Sequence, residues 1–197
     1  MNAPRDFHAT PVLTGRHVIL RPLRRDDADG VLAAADSDEV FRWLSFPRPG
    51  SSADAEALVS AYLDNAALAA WTQIDAASGK IAGLTTFYDI DPTMRSVAIG
   101  YTWLGSAYWR SGLNAEAKLL LLTRAFEELG CVRVVWHTDI LNERSQTAIA
   151  RLGARREGVL RKHKLRRDGS WRDTVQFSMT DDEWPAAREA LEARLDA

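Results

Sequence analysis

The sequence predicts a mixed α/β domain whose sheet is mostly antiparallel. Extended and helical patterns alternate along the chain, hairpin turns join extended segments in its first half, and one strongly apolar helix crosses over in the middle. A length of 197 residues fits one domain, which we expect to span residues 1–197. With 46% hydrophobic and 26% charged residues, the composition excludes disordered, collagen-like and disulfide-stapled chains.

The first half of the chain is predicted from short alternating runs and turn residues. Acidic residues open the first helix, where they favour the positive end of the helix dipole. Ala76-Ala77-Ser78-Gly79 is predicted to turn between two strands. In the fourth strand Val97, Ile99, Tyr101 and Trp103 recur with period two and are predicted to share one face. The predicted elements are strands 17–22, 70–75, 80–89 and 96–104 and helices 26–35, 37–44 and 54–69.

The second half is predicted around an apolar helix over residues 114–129. Asn142 is the predicted N-cap of the following helix, because a short polar side chain there can accept from the first backbone N–H groups. Asp168-Gly169 predicts the turn of a late hairpin, and Thr180 with Glu183 forms a capping box before the last helix. The other predicted elements are strand 133–138, a helix ending at Gly153, and strands 158–166 and 171–179.

Composition and charge argue against several functional classes. The formal net charge of −2 gives no overall attraction to nucleic acid or membranes. No apolar run approaches 18 residues and the segment 1–6 lacks a signal-peptide core, so we expect a cytoplasmic protein. Cys131 is the only cysteine, which excludes an internal disulfide, and no His or Cys grouping has metal-ligand spacing, so no metal site is expected.

The segment Tyr108–Ala117 predicts an anion site. Gly112 would let the backbone approach a ligand closely, and the N–H groups of the following helix would point at it. Arg110 adds a positive charge, and a pyrophosphate is the natural occupant. The alternative is a plain strand-to-helix turn with a surface arginine. Neither a Walker loop nor a Gly-x-Gly-x-x-Gly fingerprint is present.

Six short motifs occur in a fixed order over residues 13–184. Each is weak alone, but the ordered set resembles the GNAT superfamily of acetyl-CoA-dependent N-acetyltransferases, and within it the RimJ/RimL-like branch of ribosomal-protein N-terminal acetyltransferases. The motifs are Leu13-Thr14-Gly15-Arg16-His17-Val18-Ile19-Leu20-Arg21-Pro22-Leu23, Ile99-Gly100-Tyr101, Arg110-Ser111-Gly112-Leu113-Asn114, Asn142-Glu143-Arg144-Ser145, Arg156-Glu157-Gly158 and Asp168-Gly169-Ser170-Trp171-Arg172-Asp173.

The resemblance implies a fold, a reaction and a cofactor. The fold is a GNAT-like central mixed sheet flanked by helices, with splayed fourth and fifth strands. The reaction is direct transfer of the acetyl group of acetyl-CoA to a primary amine. In the family the Arg/Gly segment binds the CoA pyrophosphate, the edge of the fourth strand pairs with the pantetheine arm, and the helix Asn bonds it. The residues so implied are Trp103, Leu104, Arg110, Ser111, Gly112, Leu113, Asn114 and Asn142.

A proton donor is also implied by the resemblance. In the ribosomal branch a Ser three residues after the helix Asn is a candidate donor to the CoA thiolate, which nominates Ser145. The alternative is a hydroxyl that only satisfies the start of the helix. More distant members use a Tyr one turn further along this helix, and Ile149 at that position excludes this version.

The general base is the open part of the predicted mechanism. Ala98 stands where many relatives carry a Glu, and Lys164 is the estimated position of a second one. His137 near the end of the fifth strand is the candidate, because an ordinary pKa of about 6.5 suits the task; Asp139 is predicted to face the same way. A structural histidine, a water chain or an amine that arrives neutral are the alternatives. The absent carboxylates also motivate a second function, a catalytically inactive CoA-binding regulatory module.

Partners are predicted only by class. The acceptor is a protein N-terminus, a free amino acid, a polyamine or an amine antibiotic, and the family makes a homodimer a reasonable expectation. Nucleic acid and membranes are not expected; the basic stretch 151–172 is interpreted as a solvated hairpin rather than an anion or RNA site. The seven tryptophans suggest an acceptor pocket with aromatic walls, with Trp43 and Trp71 on the acceptor side and Trp171 and Trp184 packed in the core.

Overall fold

A computed structural model of the chain describes residues 5–196; residues 1–4 of the N-terminal segment and Ala197 of the predicted domain lie outside the described residues. The strands are β1 (Leu13–Thr14), β2 (Val18–Pro22), β3 (Ala69–Asp75), β4 (Ile81–Asp91), β5 (Ser96–Leu104), β6 (Arg133–Asp139), β7 (Arg155–Leu165) and β8 (Trp171–Thr180). The α-helices are α1 (Ala28–Ala34), α2 (Asp38–Phe41), α3 (Ser52–Leu63), α4 (Leu113–Thr123), α5 (Glu143–Ala150) and α6 (Trp184–Asp196).

The strands form one eight-stranded sheet in the order β1-β2-β3-β4-β5-β6-β8-β7. Every neighbouring pair is antiparallel except β5 and β6, which are parallel and joined by α4. A parallel pair needs such a crossover. This confirms the predicted mixed, mostly antiparallel sheet flanked by helices. Because β1 adds a short strand at the start, the predicted fourth and fifth strands are β5 and β6.

Helices cover both faces of the sheet. Apolar side chains of α4 and α6 pack on one face, and those of α1, α2 and α3 pack on the other. The middle of β4 is therefore buried on both sides, and its residues 82–88 form an unbroken buried run. Among the described residues no helix is long and apolar enough to cross a membrane.

The third predicted helix differs from the observed one at its C-terminal end. The prediction ran over 54–69, whereas α3 ends at Leu63 and Ala69 begins β3 opposite Phe87. The chain turns because the Asn65 side chain accepts a hydrogen bond from the backbone N–H of Ala67 at 3.0 Å. An Asn side chain competes in this way with helical hydrogen bonds.

The predicted apolar face of the fourth strand is wrong beyond Ile99. Val97 and Ile99 pack on the α4 side of the sheet, but Tyr101 and Trp103 pack on the α1–α3 side. A β-bulge explains the change, since the register with β4 shifts here and Tyr101 has a φ of +48°. An extra residue in one strand reverses the faces of the residues that follow.

The tryptophans also differ from the prediction. Trp184 is buried as expected, but Trp171 is 55% exposed, because it begins β8 where the strand pairs only with the edge strand β7. Trp71 is fully buried and its Nε1 donates to the carbonyl of Pro11 at 3.0 Å, so it belongs to the core rather than to a pocket wall.

Candidate active site

A cleft opens in the middle of the sheet between β5 and β6. The two strands pair only from Ser96 to Ala98 and from Arg133 to Val135. Beyond these residues β5 continues to Leu104 and β6 to Asp139 without pairing to each other. The backbone edges of both strands are therefore free to bind a ligand in the cleft, which is the splay predicted for this fold.

The loop from β5 to α4 forms the open end of the cleft. Gly112 is the N-cap of α4 with a φ of +82°, a left-handed conformation that other residues adopt only with strain. Arg110 is also left-handed, with a φ of +62°. Among the described residues no side chain caps the first turn of α4. Its first backbone N–H groups therefore have no side-chain acceptor, which is the local geometry on which the predicted anion site depends.

Trp109 links this loop to both sides of the cleft. Its Nε1 donates to the carbonyl of Leu104 at 3.0 Å, and the Arg144 guanidinium on α5 lies 4.0 Å from the centre of its ring. Of the two β5 residues implied in cofactor binding, Leu104 thus presents its carbonyl toward the loop. The carbonyl of Trp103 instead accepts from Gln73 Nε2 at 3.2 Å, on the β4 side of the strand.

The start of α5 lies across the cleft from this strand. The Asn142 side chain caps the helix by accepting from the backbone N–H of Ser145 at 3.1 Å, as predicted. The Ser145 side chain is half-buried in the first turn. Leu104 is hydrogen-bonded to Trp109, and Trp109 packs against Arg144, which lies two residues after the Asn142 cap, so β5, the loop and the start of α5 meet at this point.

A buried lysine lies beneath the bulge of β5. Lys118 projects from α4, and its Nζ donates to Thr102 Oγ1 at 2.8 Å and to Thr85 Oγ1 at 3.2 Å. The two threonine hydroxyls also bond each other at 2.8 Å. Burial without a carboxylate partner lowers the pKa of Lys118 to about 7. The sequence offered one signal for this site, a lysine between Ala117 and Leu121, both of which lie fully in the core.

His137 lies on β6 just beyond the residues that pair with β5, and both of its ring nitrogens have partners. Nδ1 lies 2.9 Å from the Tyr88 hydroxyl of β4, and Nε2 lies 3.2 Å from Gln176 Oε1 of β8. Burial lowers the pKa of His137, and the Gln176 hydrogen bond opposes this only in part. Tyr88 was missed by the sequence reasoning, because it lies within an apolar buried run with no motif around it.

Asp139 faces a cation rather than His137. Its carboxylate accepts from Arg166 at 2.7 Å and 3.0 Å and lies 4.0 Å from the Arg172 guanidinium. Although burial opposes it, the Arg166 hydrogen bond holds the pKa of Asp139 below its usual value. Asp139 is therefore a poor base, and Arg166 of the basic stretch is bound within the fold.

The α1–α3 side of the cleft carries an aromatic and cationic cluster. The Tyr88 and Tyr101 rings lie edge to face at 5.2 Å, the Lys164 ammonium lies 6.0 Å from the Tyr88 ring centre, and the His163 ring lies 5.7 Å from that of His137. Tyrosines, rather than the predicted tryptophans, supply the aromatic surface here. Asp89 is an exposed carboxylate beside Tyr88 with a left-handed φ of +46°.

Comparisons with known proteins agree with this geometry. Residues 17–155 match the family described as acetyltransferase (GNAT) domain. The chain is 30% identical over 176 residues to "Putative ribosomal N-acetyltransferase YdaF" of Bacillus subtilis, covering 85% of this chain and 93% of that protein.

Solved structures share the fold over nearly the whole chain. A GCN5-related N-acetyltransferase from Brucella melitensis has a TM-score of 0.93 and 32% identity, covering 98% of this chain and 89% of the other. RimJ of Mycobacterium smegmatis, solved in complex with CoA-disulfide, has a TM-score of 0.76 and 25% identity, covering 90% and 88%.

Proposed function

The chain belongs to the GNAT acetyltransferase family, and from that premise we propose that it transfers the acetyl group of acetyl-CoA directly to a primary amine in a ternary complex. The observation that carries this proposal is the cleft between β5 and β6, with the uncapped start of α4 at its open end. An extended thioester cofactor with a pyrophosphate needs these two features side by side. The GNAT fold uses acetyl-CoA as its co-substrate, and no metal takes part in the proposed transfer.

The proposed cofactor contacts follow the cleft from its open end inward. The pyrophosphate lies over the backbone N–H groups of residues 110–114, where Arg110 adds a positive charge and Gly112 supplies the left-handed turn. The pantetheine arm runs between the β5 edge at Leu104 and the Asn142 side chain, while Trp103 turns its carbonyl to β4 and lies behind this edge. The Leu104 carbonyl already accepts from Trp109 Nε1, and we propose that a pantetheine amide that binds there displaces the indole N–H.

Ser145 is the proposed proton donor to the departing CoA thiolate. Its backbone N–H is already satisfied by Asn142, so the hydroxyl is not needed to cap α5. Ile149, one turn further along α5, is buried and apolar and cannot donate a proton. The proposal therefore assigns the donor role to the Ser145 hydroxyl.

The proposed acceptor is a protein N-terminus, with small amines as the alternative. The name of one relative favours the protein, because it refers to a ribosomal N-acetyltransferase. A panel measures this directly: release of CoA thiol with a short peptide bearing a free serine N-terminus, a free amino acid, spermidine and an aminoglycoside. Turnover of the peptide alone supports the first acceptor class. Acetyl-CoA binding without thiol release from any member would favour the inactive CoA-binding module.

Acetyl-CoA binding tests the proposed pyrophosphate cradle, which is formed by the backbone N–H groups of residues 110–114. We expect Gly112→Trp to weaken binding roughly a hundredfold or more, because the ring would occupy the place of the pyrophosphate. A side chain at this position also strains the backbone, and Gly169 has the same φ of +82° with open space around it. Gly169→Trp is therefore the matched control and should keep its affinity in isothermal titration calorimetry. Equal affinities of the two variants would contradict the cradle.

A further inference from the structure

We propose that Tyr88 and His137 form the proton-accepting pair of the transfer, in which the Tyr88 hydroxyl takes the proton of the acceptor ammonium and passes its own to His137 Nδ1. This inference rests on the proposed function, since it assigns a step within that reaction. It supplies the base for a site in which Ala98 and Lys164 occupy the positions of the expected carboxylates.

The pair lies at the inner end of the cleft. Tyr88 on β4 is opposite Ala98, which is the last β5 residue that pairs with β6. The β6 partner of Ala98 is Val135, and His137 lies two residues beyond it. The Tyr88 ring crosses β5 over Gly100, where an added Cβ would lie 2.5 Å from its Cε1. The hydroxyl therefore reaches from β4 to β6 across the point at which the strands separate, 2.9 Å from the imidazole.

Gln176 determines which nitrogen of His137 carries the proton. Its side-chain oxygen can only accept, so the Nε2 atom at 3.2 Å must donate, and Nδ1 is left as the acceptor for the Tyr88 hydroxyl. The amide cannot turn round freely, because its Nε2 donates to Glu157 Oε2 at 2.8 Å. Glu157 is in turn held by the two terminal guanidinium nitrogens of Arg133, and these hydrogen bonds lower the pKa of Glu157 to about 2. Gln176 and Glu157 are thus positioning residues.

The charge state of the pair suits a proton acceptor. Burial lowers the pKa of His137, so the imidazole is neutral near pH 7 and can receive a proton. Burial, and then the Asp89 carboxylate, raise the pKa of Tyr88, so the phenol does not ionise alone and loses its proton only as it gains one. The groups that face the pair are Asp89 on β4, Tyr101 on β5, His163 and Lys164 on β7 and Arg172 on β8.

The step balances without another reactant. One N–H bond of the ammonium breaks as the proton moves to Tyr88 Oη, the former Tyr88 proton bonds to His137 Nδ1, and the amine lone pair is released. That lone pair attacks the thioester carbon and the C–S bond breaks, while Ser145 Oγ gives its proton to the thiolate and takes up the second proton lost by nitrogen. The imidazolium then returns its proton to solvent, so the net products are the amide, CoA and one proton.

Kinetics at varied pH tests the pair, with the best acceptor of the panel above as substrate. We expect Tyr88→Phe and His137→Gln each to lower kcat/KM about a hundredfold or more with little change in acetyl-CoA affinity. Tyr62→Phe, which removes a buried hydroxyl that donates to the Tyr101 carbonyl and does not touch His137, is the matched control, and its kcat/KM should fall far less. If Asp89→Asn instead abolishes turnover while Tyr88→Phe retains it, Asp89 is the base and the proposal is overturned.

A spectroscopic readout separates a proton-accepting role from a structural one. In long-range ¹H–¹⁵N spectra His137 should be the Nε2–H tautomer, with a midpoint below that of an ordinary histidine. Gln176→Met removes a bond that favours the charged ring, so the midpoint and the acid limb of kcat/KM should move together to lower pH. An Nδ1–H tautomer, or an acid limb that stays in place while the midpoint moves, would overturn the pair. If the unaltered protein does not bind acetyl-CoA, the proposed function is refuted instead. The tautomer of His137 can still be measured in that case, so the two failures are distinguishable.

Discussion

Trp109 is the residue that covers the Leu104 carbonyl at the β5 edge. Its indole N–H occupies the Leu104 carbonyl, and its ring packs under the Arg144 guanidinium at 4.0 Å. A cation over an indole face contributes about 0.5–1 kcal/mol at an exposed site, and one hydrogen bond contributes about 1 kcal/mol. Contacts of this size hold the side chain in place yet yield to a tightly bound cofactor.

Replacement of this indole should expose the competition. Trp109→Phe removes the N–H donor, so we expect acetyl-CoA to bind up to about fivefold more tightly, in line with a hydrogen bond of about 1 kcal/mol. The unaltered protein should change its tryptophan fluorescence on binding, and Trp109→Phe should lose that change. Trp171→Phe is the control, because it removes an exposed indole that does not contact Leu104 or Arg144. This variant should keep the fluorescence change on binding. A change of equal size in Trp109→Phe would show that the indole stays in place.

The bulge in β5 is the element that shapes the cleft. The left-handed Tyr101 shifts the register with β4, turns Tyr101 and Trp103 to the α1–α3 side, and lies just past the last residue paired with β6. Lys118 of α4 lies under this bulge and bonds the hydroxyls of Thr85 and Thr102. Helix and bulge are thus joined by a buried amine rather than by apolar packing alone.

Burial of Lys118 makes the stability of the fold depend on pH. Its pKa is about 7 when folded and 10.5 in a solvated chain. Between these values the unfolded chain binds more protons, so the free energy of unfolding rises with pH. We expect Lys118→Met to be more stable than the unaltered protein at pH 7, with the gap narrowing by about 1 kcal/mol per pH unit between pH 8 and 10.

Urea denaturation at several pH values measures this gap. The hydroxyls of Thr85 and Thr102 bond each other, so the Lys118→Met substitution would not leave them without partners. Lys80→Met replaces an exposed lysine in the β3–β4 turn and should show no such pH dependence. A constant difference between Lys118→Met and the unaltered protein would mean that the amine keeps its ordinary pKa.

At the scale of the whole molecule, the cleft divides the sheet into two parts. Strands β1–β5 form one part and β6, β8 and β7 the other, and the two are paired over three residues on each strand. Apolar side chains of both parts pack into one cluster with α4 and α6, and α4 connects the two parts along the chain. A ligand in the cleft would therefore pair with backbone groups of both parts.

Hydrogen exchange should report that pairing. We expect acetyl-CoA to slow amide exchange in β5 beyond Ile99 and in β6 beyond Val135, because unpaired backbone exchanges faster than hydrogen-bonded backbone. Amides of the β1–β2 hairpin serve as the internal control and should not change. Protection limited to the α4 loop would show that only the pyrophosphate is held.

The local geometry of the proposed cofactor side could be predicted from the sequence because its parts are close together in the chain. Gly112 and the helix after it are adjacent, and Asn142 caps a turn that contains Ser145. The proton-accepting side could not, because Tyr88 and His137 are 49 positions apart and His137 and Gln176 are 39 apart. A periodic pattern in the sequence cannot indicate these contacts, because they depend on which strands are neighbours in the sheet.

The sequence by itself determined the family, the order of the elements and the helix-start cradle, because each depends on neighbouring residues and on turn, cap and periodic patterns. Only the tertiary structure decided three contacts: the Asp139–Arg166 ion pair, the hydrogen bond from Trp109 Nε1 to the Leu104 carbonyl, and the hydrogen bond between Tyr88 and His137. The physical reason is the placement of β6 between β5 and β8: pairing on one side stops after three residues, while pairing on the other continues through Gln176. Side chains from four strands therefore converge where one pair of strands separates.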